Sequence, residues 1–253
     1  MNEVTYICRW TNEADEKFVK DWQWVENTVF GGFDDAVIKR KYFDNIYGPS
    51  LMIVAYMDNR PVGADAMWRN DVNGKAAYQS DDTCVLEAAR GKGVMTGFTQ
   101  KELSTLPEGS YIYGSPNGKS YWAYKKMKWN EIEMYPALFV YPKRYQKEHI
   151  AMMPREYAQW WIVGDNKYHI KRFGHYYLVS TDKQKSFIAN LIAEVDKETA
   201  MMYPRFKNCS LLLYRSYKKS LIWRLHKNEP MHHICWRGDP RVFPYWKIDG
   251  YGE

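Results

Sequence analysis

The stretch EAARGKGVMTG, residues 87–97, decides how this chain is read. The segment AAYQSDDTCVLEA (76–88) runs into it as a strand, and GVMTGFTQKELSTL (93–106) runs out of it with the spacing of a helix. A strand feeding a glycine-rich turn that opens a helix suits an anion. The first N–H groups of a helix lack partners within it, and the helix dipole favours negative charge beside them. Gly91 and Gly93 remove the Cβ atoms that would hold an anion off the backbone, while Arg90 and Lys92 add charge from the rim. The turn is neither a GxxxxGK[ST] phosphate loop nor GxGxxG. A plain surface turn has the same composition, so the flanking chain has to decide.

Upstream, VTYICRW (4–10) alternates as a strand. NEADEKFVKDWQWVENTVF (12–30), with acids in its first turn and apolar residues three and four apart, reads as a helix. FDDAVIKRKYFDNI (33–46) reads as a second helix broken by YGPS, and DNRP (58–61) joins two apolar runs into a hairpin. Downstream come a short strand at YIYGSPN (111–117), a helix at GKSYWAYKKMKW (118–129) and a strand at EIEMYPALFVYP (131–142). Strand, two helices, three strands, helix, strand, helix, strand over residues 1–142 implies an α/β fold with a mixed sheet and helices on its faces. A boundary is expected at KRYQKEHIAMMP (143–154). Beyond it, KYHIKRFGHYYLVSTD (167–182) reads as two strands about Phe173-Gly174, SFIANLIAEV (186–195) as a strand or short helix, and DKETAMMYPRF (196–206) as helical up to Pro204. SLLLYRS (210–216) and SLIWRL (220–225) alternate as strands, and the tail from His232 is rich in aromatics, glycine and proline. Residues 143–253 are expected to form a smaller α+β unit, with no short-period repeat.

Composition narrows the classes. The chain has 253 residues, 45% hydrophobic and 26% charged, enough for a large core without staples. Aromatics reach 17%, and the formal net charge of +6 suits an anionic ligand or a nucleic acid without choosing between them. The basic stretches KSYWAYKKMK (119–128) and RSYKK (215–219) read as solvated faces. Cys8, Cys84, Cys209 and Cys235 lie far apart with no CxxC pair, so neither a disulfide framework nor a zinc site is expected. His232, His233 and Cys235 suggest a metal, but only His233 and Cys235 share a strand face and further ligands are not apparent; no metal is expected. The first residues lack a signal-peptide core, and no apolar run reaches membrane-spanning length, which leads to the expectation of a soluble protein in a reducing cytoplasm.

The helix after the turn's partner strand settles the reading. SPNGKSYWAYKKMKW (115–129) carries Asn117, Ser120, Tyr124, Lys126 and Trp129. With Arg90-Gly91-Lys92-Gly93 it resembles the GNAT superfamily of acyl-CoA N-acyltransferases, which carries Gln/Arg-x-x-Gly-x-Gly/Ala after its fourth strand and Asn-x-x-Ala-x-x-x-Tyr-x-Lys-x-Gly-Phe after its fifth. Arg90 and Gly93 keep their loop positions; Asn117, Tyr124 and Lys126 keep theirs in the helix; Ser120 replaces Ala and Trp129 replaces Phe. Met95 stands where the loop usually has Gly or Ala, and Lys128 where the helix usually ends in Gly. The resemblance covers a little over half the chain.

It implies a GNAT-like fold over 1–142 that binds acetyl-CoA as co-substrate. By position, Val85 and Leu86 would hold the pantetheine arm through backbone hydrogen bonds, and the turn Arg90, Gly91, Lys92, Gly93, Val94 and Met95 would hold the pyrophosphate, with Asn117, Ser120 and Lys126 joining the cofactor site. Tyr124 matches the residue that protonates the departing thiolate, a task suited to a hydroxyl that is neutral at pH 7. The base carries no motif. Asp82 is the candidate, on the opposite strand face from Asp81; a water chain could serve as well. The expected reaction is acetyl transfer to a primary amine by direct attack on the thioester. The acceptor is taken to be a small molecule, an amino sugar or sugar nucleotide, chosen with the help of the C-terminal unit. No membrane is involved, and nucleic acid is not expected. Two alternatives stay open: a transferase with two GNAT-like halves that uses aminoacyl-tRNA or long acyl groups, and a non-catalytic GNAT-like binding module.

Overall fold

A computed structural model of the chain describes residues 3–32, 34–144, 152–162, 168–181, 188–203, 207–221 and 230–243. Most of the boundary stretch 143–154, the SLIWRL segment from residue 222 on, and the tail beyond residue 243 lie outside these. Among the described residues no helix is long and apolar enough to cross a membrane.

The first half follows the expected order. Its elements are β1 (Val4–Trp10), α1 (Glu16–Phe30), α2 (Asp35–Ile38), β2 (Leu51–Met57), β3 (Arg60–Arg69), β4 (Ala77–Val85), α3 (Val94–Thr105), β5 (Tyr111–Gly114), α4 (Gly118–Lys126) and β6 (Asn130–Phe139). Local chemistry sets each boundary. Asp15 caps α1 by accepting from Phe18 N at 2.8 Å, and Gly31 ends it in the left-handed region, its N–H on Asn27 O at 3.0 Å. Asp58 and Asn59, both at positive φ, make the two-residue turn between β2 and β3. The second helix differs from expectation. After four residues it widens into a π turn, Lys39–Phe43, which buries the consecutive side chains of Lys41 and Tyr42.

Two compact units result. The first comprises Met1–Asn130 with Ile234–Gly238, and the second Glu131–His233 with Asp239–Glu253. In the first, β1, β2, β3 and β4 pair antiparallel in order, and β5 runs parallel to β4. The free side of β5 takes Ile234–Arg237 from a late strand, β12 (Met231–Arg237), antiparallel. No strand was foreseen in that aromatic tail. Helix α3 packs over β1 and β2 through Val94 and Phe98, against Ile53 and Ala55; each such buried side chain contributes roughly 1.5–3 kcal/mol. The approach is close at Gly97, where a Cβ would stand 2.1 Å from the Tyr6 hydroxyl.

The second unit contains β7 (Tyr168–Phe173), β8 (Tyr176–Thr181), β9 (Ile188–Val195), α6 (Lys197–Met201), β10 (Lys207–Asn208) and β11 (Leu211–Ser216), preceded by a short helical turn α5 (Arg155–Tyr157). Within the stretch 186–195, open between strand and short helix in the sequence, Ile188–Val195 forms the strand β9. Here β7, β8 and β9 pair antiparallel, and β11 runs parallel to β9 after α6. β11 has β6 antiparallel on its other side. This repeats the plan of β2, β3, β4, α3 and β5 in the first unit. The repeat lies in topology, with each unit receiving its last strand from the chain segment that leaves the other.

Candidate active site

The site begins where β4 and β5 part. Their parallel pairing covers Ala77–Ser80 against Tyr111–Gly114. β4 continues to Val85, but β5 stops, because Ser115 and Pro116 lead straight into α4. Among the described residues no strand lies along 81–85 on that side. At the same place β4 bulges: Ala64 pairs with Cys84 and Ala66 with Asp81, so Asp65 alone opposes Asp82 and Thr83. Asp82 takes φ 54°, which breaks the alternation of faces. As a result Asp81 and Asp82, expected on opposite faces, both reach one ammonium: Lys41 Nζ lies 2.8 Å from Asp81 Oδ2 and 2.7 Å from Asp82 Oδ2. The Tyr42 hydroxyl also donates to Asp82 Oδ2.

The turn after β4 has the form that the sequence suggested. Gly91 and Gly93 sit at φ 76° and 79°, and α3 opens from Gly93 with no side chain capping its first turn. Arg90, Gly91, Lys92 and Gly93 are exposed. The Val94 side chain is buried in the core and Met95 packs half-buried beside it, so both offer the turn their backbone only. Arg90 Nε donates to Val85 O at 3.1 Å. Leu86 gives its N–H to Val62 O and accepts from Ala89 N, each at 2.9 Å.

Asn117 caps α4, its Oδ1 accepting from Lys119 N and Ser120 N at 3.0 Å each. Ser120 Oγ lies 3.3 Å from the same oxygen, and Lys126 is exposed in the last turn. Lys128 adopts φ 62°. Its N–H reaches Lys125 O at 3.0 Å, and Trp129 N reaches Tyr124 O at 3.3 Å, the paired bonds of a Schellman motif. A lysine therefore fills the left-handed position that the helix pattern usually gives to glycine.

Tyr124 points its buried hydroxyl at the parting strands. It lies 2.6 Å from Ser80 Oγ, on the last β4 residue paired with β5, and 3.3 Å from Thr83 Oγ1 in the bulge. Burial, with the charge of Asp65 next, pushes its pKa well up, so the hydroxyl stays protonated. Behind the bulged part of β4 the sequence reading missed four buried ionisable groups, Glu26, Lys41, Asp65 and Glu102. Burial is the largest influence on each. It lifts Glu26 and Glu102 well above the carboxylate range and Asp65 to about 7. Lys41 is instead raised, because Asp81 and Asp82 outweigh its burial. A signal was available: Asp65 is the one acid in the strand RPVGADAMWR, and Glu102 falls four residues after Phe98 on the buried face of its helix.

In the second unit, His232 Nδ1 lies 2.6 Å from Glu131 Oε1, and with Glu133 the three offer ligand atoms within 4.8 Å of one another. The first unit also carries a surface groove of about 640 Å³ lined by residues including Arg9, Asp15, Lys17 and Tyr56, none of them a candidate above.

No family model and no curated protein matches the sequence. Among solved structures, a GCN5-related N-acetyltransferase from Kribbella flavida matches with a TM-score of 0.51 at 9% identity, covering 92% of this chain and 71% of that one. A putative acetyltransferase from Pyrococcus horikoshii matches at 0.49 and 13% identity, covering 96% and 94%. Escherichia coli ElaA matches at 0.42 and 16% identity, covering 53% and 92%. The Kribbella flavida likeness is one of fold: this chain shares the architecture of that GCN5-related N-acetyltransferase.

Proposed function

We propose that the chain is an acetyl-CoA-dependent N-acetyltransferase acting on a primary amine. The observation that carries this is the parting of β4 from β5 with the Tyr124 hydroxyl at its apex, 2.6 Å from Ser80 Oγ, beside a helix start with no side-chain cap. In this reading the turn from Arg90 to Met95 receives the pyrophosphate through exposed amides and the helix dipole. The pantetheine lies along β4 towards Val85 and Leu86, and Asn117, Ser120 and Lys126 border the site. The amine attacks the thioester, the carbon–sulfur bond breaks, and Tyr124 gives its proton to the sulfur. Asp82 is the candidate base, with its Oδ2 already held by Lys41 and Tyr42; water is the other route for that proton. The acceptor class we assign is an amine on a sugar or sugar nucleotide, supported by the aromatic content alone, with acceptor choice given to the segment 143–253.

The topological repeat favours a second reading, a transferase of two GNAT-like halves that takes aminoacyl-tRNA or a long acyl donor. The halves differ at the helix start. Asp196 caps α6, its Oδ1 accepting from Thr199 N at 2.6 Å, which puts an anion where a phosphate would have to go. Calorimetry with coenzyme A, followed by free-thiol release from acetyl-CoA over an amine panel, tests the proposal. Binding with thiol release supports it. A folded protein that binds no coenzyme A overturns it in favour of the second reading.

A further inference from the structure

The Tyr124 hydroxyl is one end of a chain of buried and half-buried groups. From it the path runs 3.3 Å to Thr83 Oγ1, or through Ser80 Oγ at 2.6 and then 3.5 Å, and Thr83 Oγ1 stands 2.8 Å from Asp65 Oδ1. The bulge makes this possible by placing Thr83 opposite Asp65. Asp65 is fully buried, and its Oδ1 also accepts from Ala66 N at 2.9 Å. Its Oδ2 and both carboxyl oxygens of Glu102 are buried with no donor from elsewhere among the described residues, and the two carboxyl groups face each other. Two such groups in an apolar interior cannot both ionise, so Glu102, lifted well above the carboxylate range by burial and by Asp65, keeps its proton while Asp65 gains and loses one.

We propose that the Asp65–Glu102 pair re-protonates Tyr124 through the hydroxyl of Thr83. The inference rests on the reading of Tyr124 as the acid that serves the leaving thiolate. As the carbon–sulfur bond breaks, its electron pair goes to sulfur, and the Tyr124 proton follows to give the thiol. Tyr124 oxygen then takes a proton from Thr83 Oγ1, and Thr83 takes one from the Asp65 carboxylic acid, which becomes a carboxylate beside the still-protonated Glu102. The surplus proton of the amine passes to water, and the pair regains a proton from water before the next turnover. Burial makes a bare tyrosinate costly, which gives the transfer its direction. The charges around Asp65 are consistent with it. Glu102 faces it from α3, with Cys8 of β1 beyond. Glu26 approaches from α1, and Asp81, Asp82 and Cys84 from β4. The cation Lys41 is held by Asp81 and Asp82. Asp65 is therefore a positioning residue, acting on the reaction through Tyr124.

The test uses the full chain with acetyl-CoA and an accepted amine, and the variants Asp65→Asn, Thr83→Val and Thr83→Ser. Coenzyme A affinity and melting temperature are read alongside kcat from pH 5.5 to 9. The expected result is a wild-type kcat profile with an ionisation near neutrality that vanishes in Asp65→Asn and Thr83→Val, with kcat about 10-fold lower and coenzyme A affinity kept. Thr83→Ser, which retains a hydroxyl, restores the ionisation. Difference infrared spectra between pH 5 and 9 give a reading without turnover: the carbonyl band of a buried carboxylic acid should be lost in Asp65→Asn. Wild-type profiles in both relay variants, or an unchanged infrared band, overturn the relay and leave the acetyltransferase reading standing. Absence of coenzyme A binding by the wild type overturns both.

Discussion

The ring of Tyr124 meets that of Trp129 edge-on, with centroids 4.8 Å apart and planes at 67°. These are the two ends of the Schellman motif that closes α4, and the apolar contact commonly accompanies such a motif. It holds the tyrosine from behind while Ser80 and Thr83 meet its hydroxyl from in front. The helix terminus thus aims the proposed acid.

That terminus carries a removable strain. Lys128 sits at φ 62°, a conformation that costs a side chain with a Cβ on the order of 1 kcal/mol. Lys128→Gly should raise the melting temperature by a few degrees, partly offset by the freer unfolded chain. A melting temperature at or below wild type in a scan at fixed pH contradicts this account of the cap.

Gly93→Val should abolish measurable coenzyme A binding. Valine is strained at φ 79°, and its side chain would crowd the open amides of α3. Calorimetry decides, and it should also find a single coenzyme A per wild-type chain, because Asp196 already occupies the start of α6. Unchanged affinity in the folded variant would place the pyrophosphate elsewhere.

Tyr124→Phe keeps the ring against Trp129 and removes the proton. If the hydroxyl acts on the developing thiolate, kcat should fall on the order of 10²-fold while acetyl-CoA affinity stays nearly constant. A full-rate kcat where chemistry limits turnover would assign the hydroxyl to packing alone.

Lys41→Met leaves Asp81 and Asp82 facing each other without their cation. Removing one side of a buried ion pair destabilises by about 3–5 kcal/mol. Urea unfolding at pH 7 should show a loss of this order. The loss should shrink at low pH, where Asp81, its pKa raised by burial, takes up a proton; an equal loss at all pH values would point to packing instead.

Stability should depend on pH through Asp65. Burial lifts its folded pKa to about 7 from an ordinary value of 3.8. Between these values the folded state binds the extra proton, so stability falls as pH rises across that window, by at most about 1.4 kcal/mol per pH unit for one proton. Asp65→Asn should flatten the slope and be the more stable protein at pH 8. Parallel unfolding profiles from pH 4 to 8 would deny the lifted pKa.

A truncated chain ending near residue 142 tests less than the sequence suggests. It removes Ile234–Arg237 from the edge of β5 and Ile234 from the core that holds Tyr124. Its failure to fold would follow from that loss, whichever unit chooses the acceptor.

The order of elements from β1 to β6 was legible because each carries its own short-range signal. The alternation of VTYICRW, the caps Asp15 and Asn117, the Asp58-Asn59 turn and the glycines of the 90–95 loop all act within a few residues. The same locality made the candidate anion turn and Tyr124 readable from two motifs. What only the tertiary structure decided lies between residues far apart in the chain. Ile234–Arg237 pairs with β5 across some 120 residues, as the Tyr113–Cys235 register shows, and nothing in HHICWRG names that partner. Asp81 and Asp82 share Lys41 because a bulge at φ 54° overrides strand alternation, and a π turn brings the lysine in. Asp65, Thr83, Glu102 and Tyr124 come from four different elements. Their protonation depends on burial and mutual distance, and those exist only once the chain has closed around them.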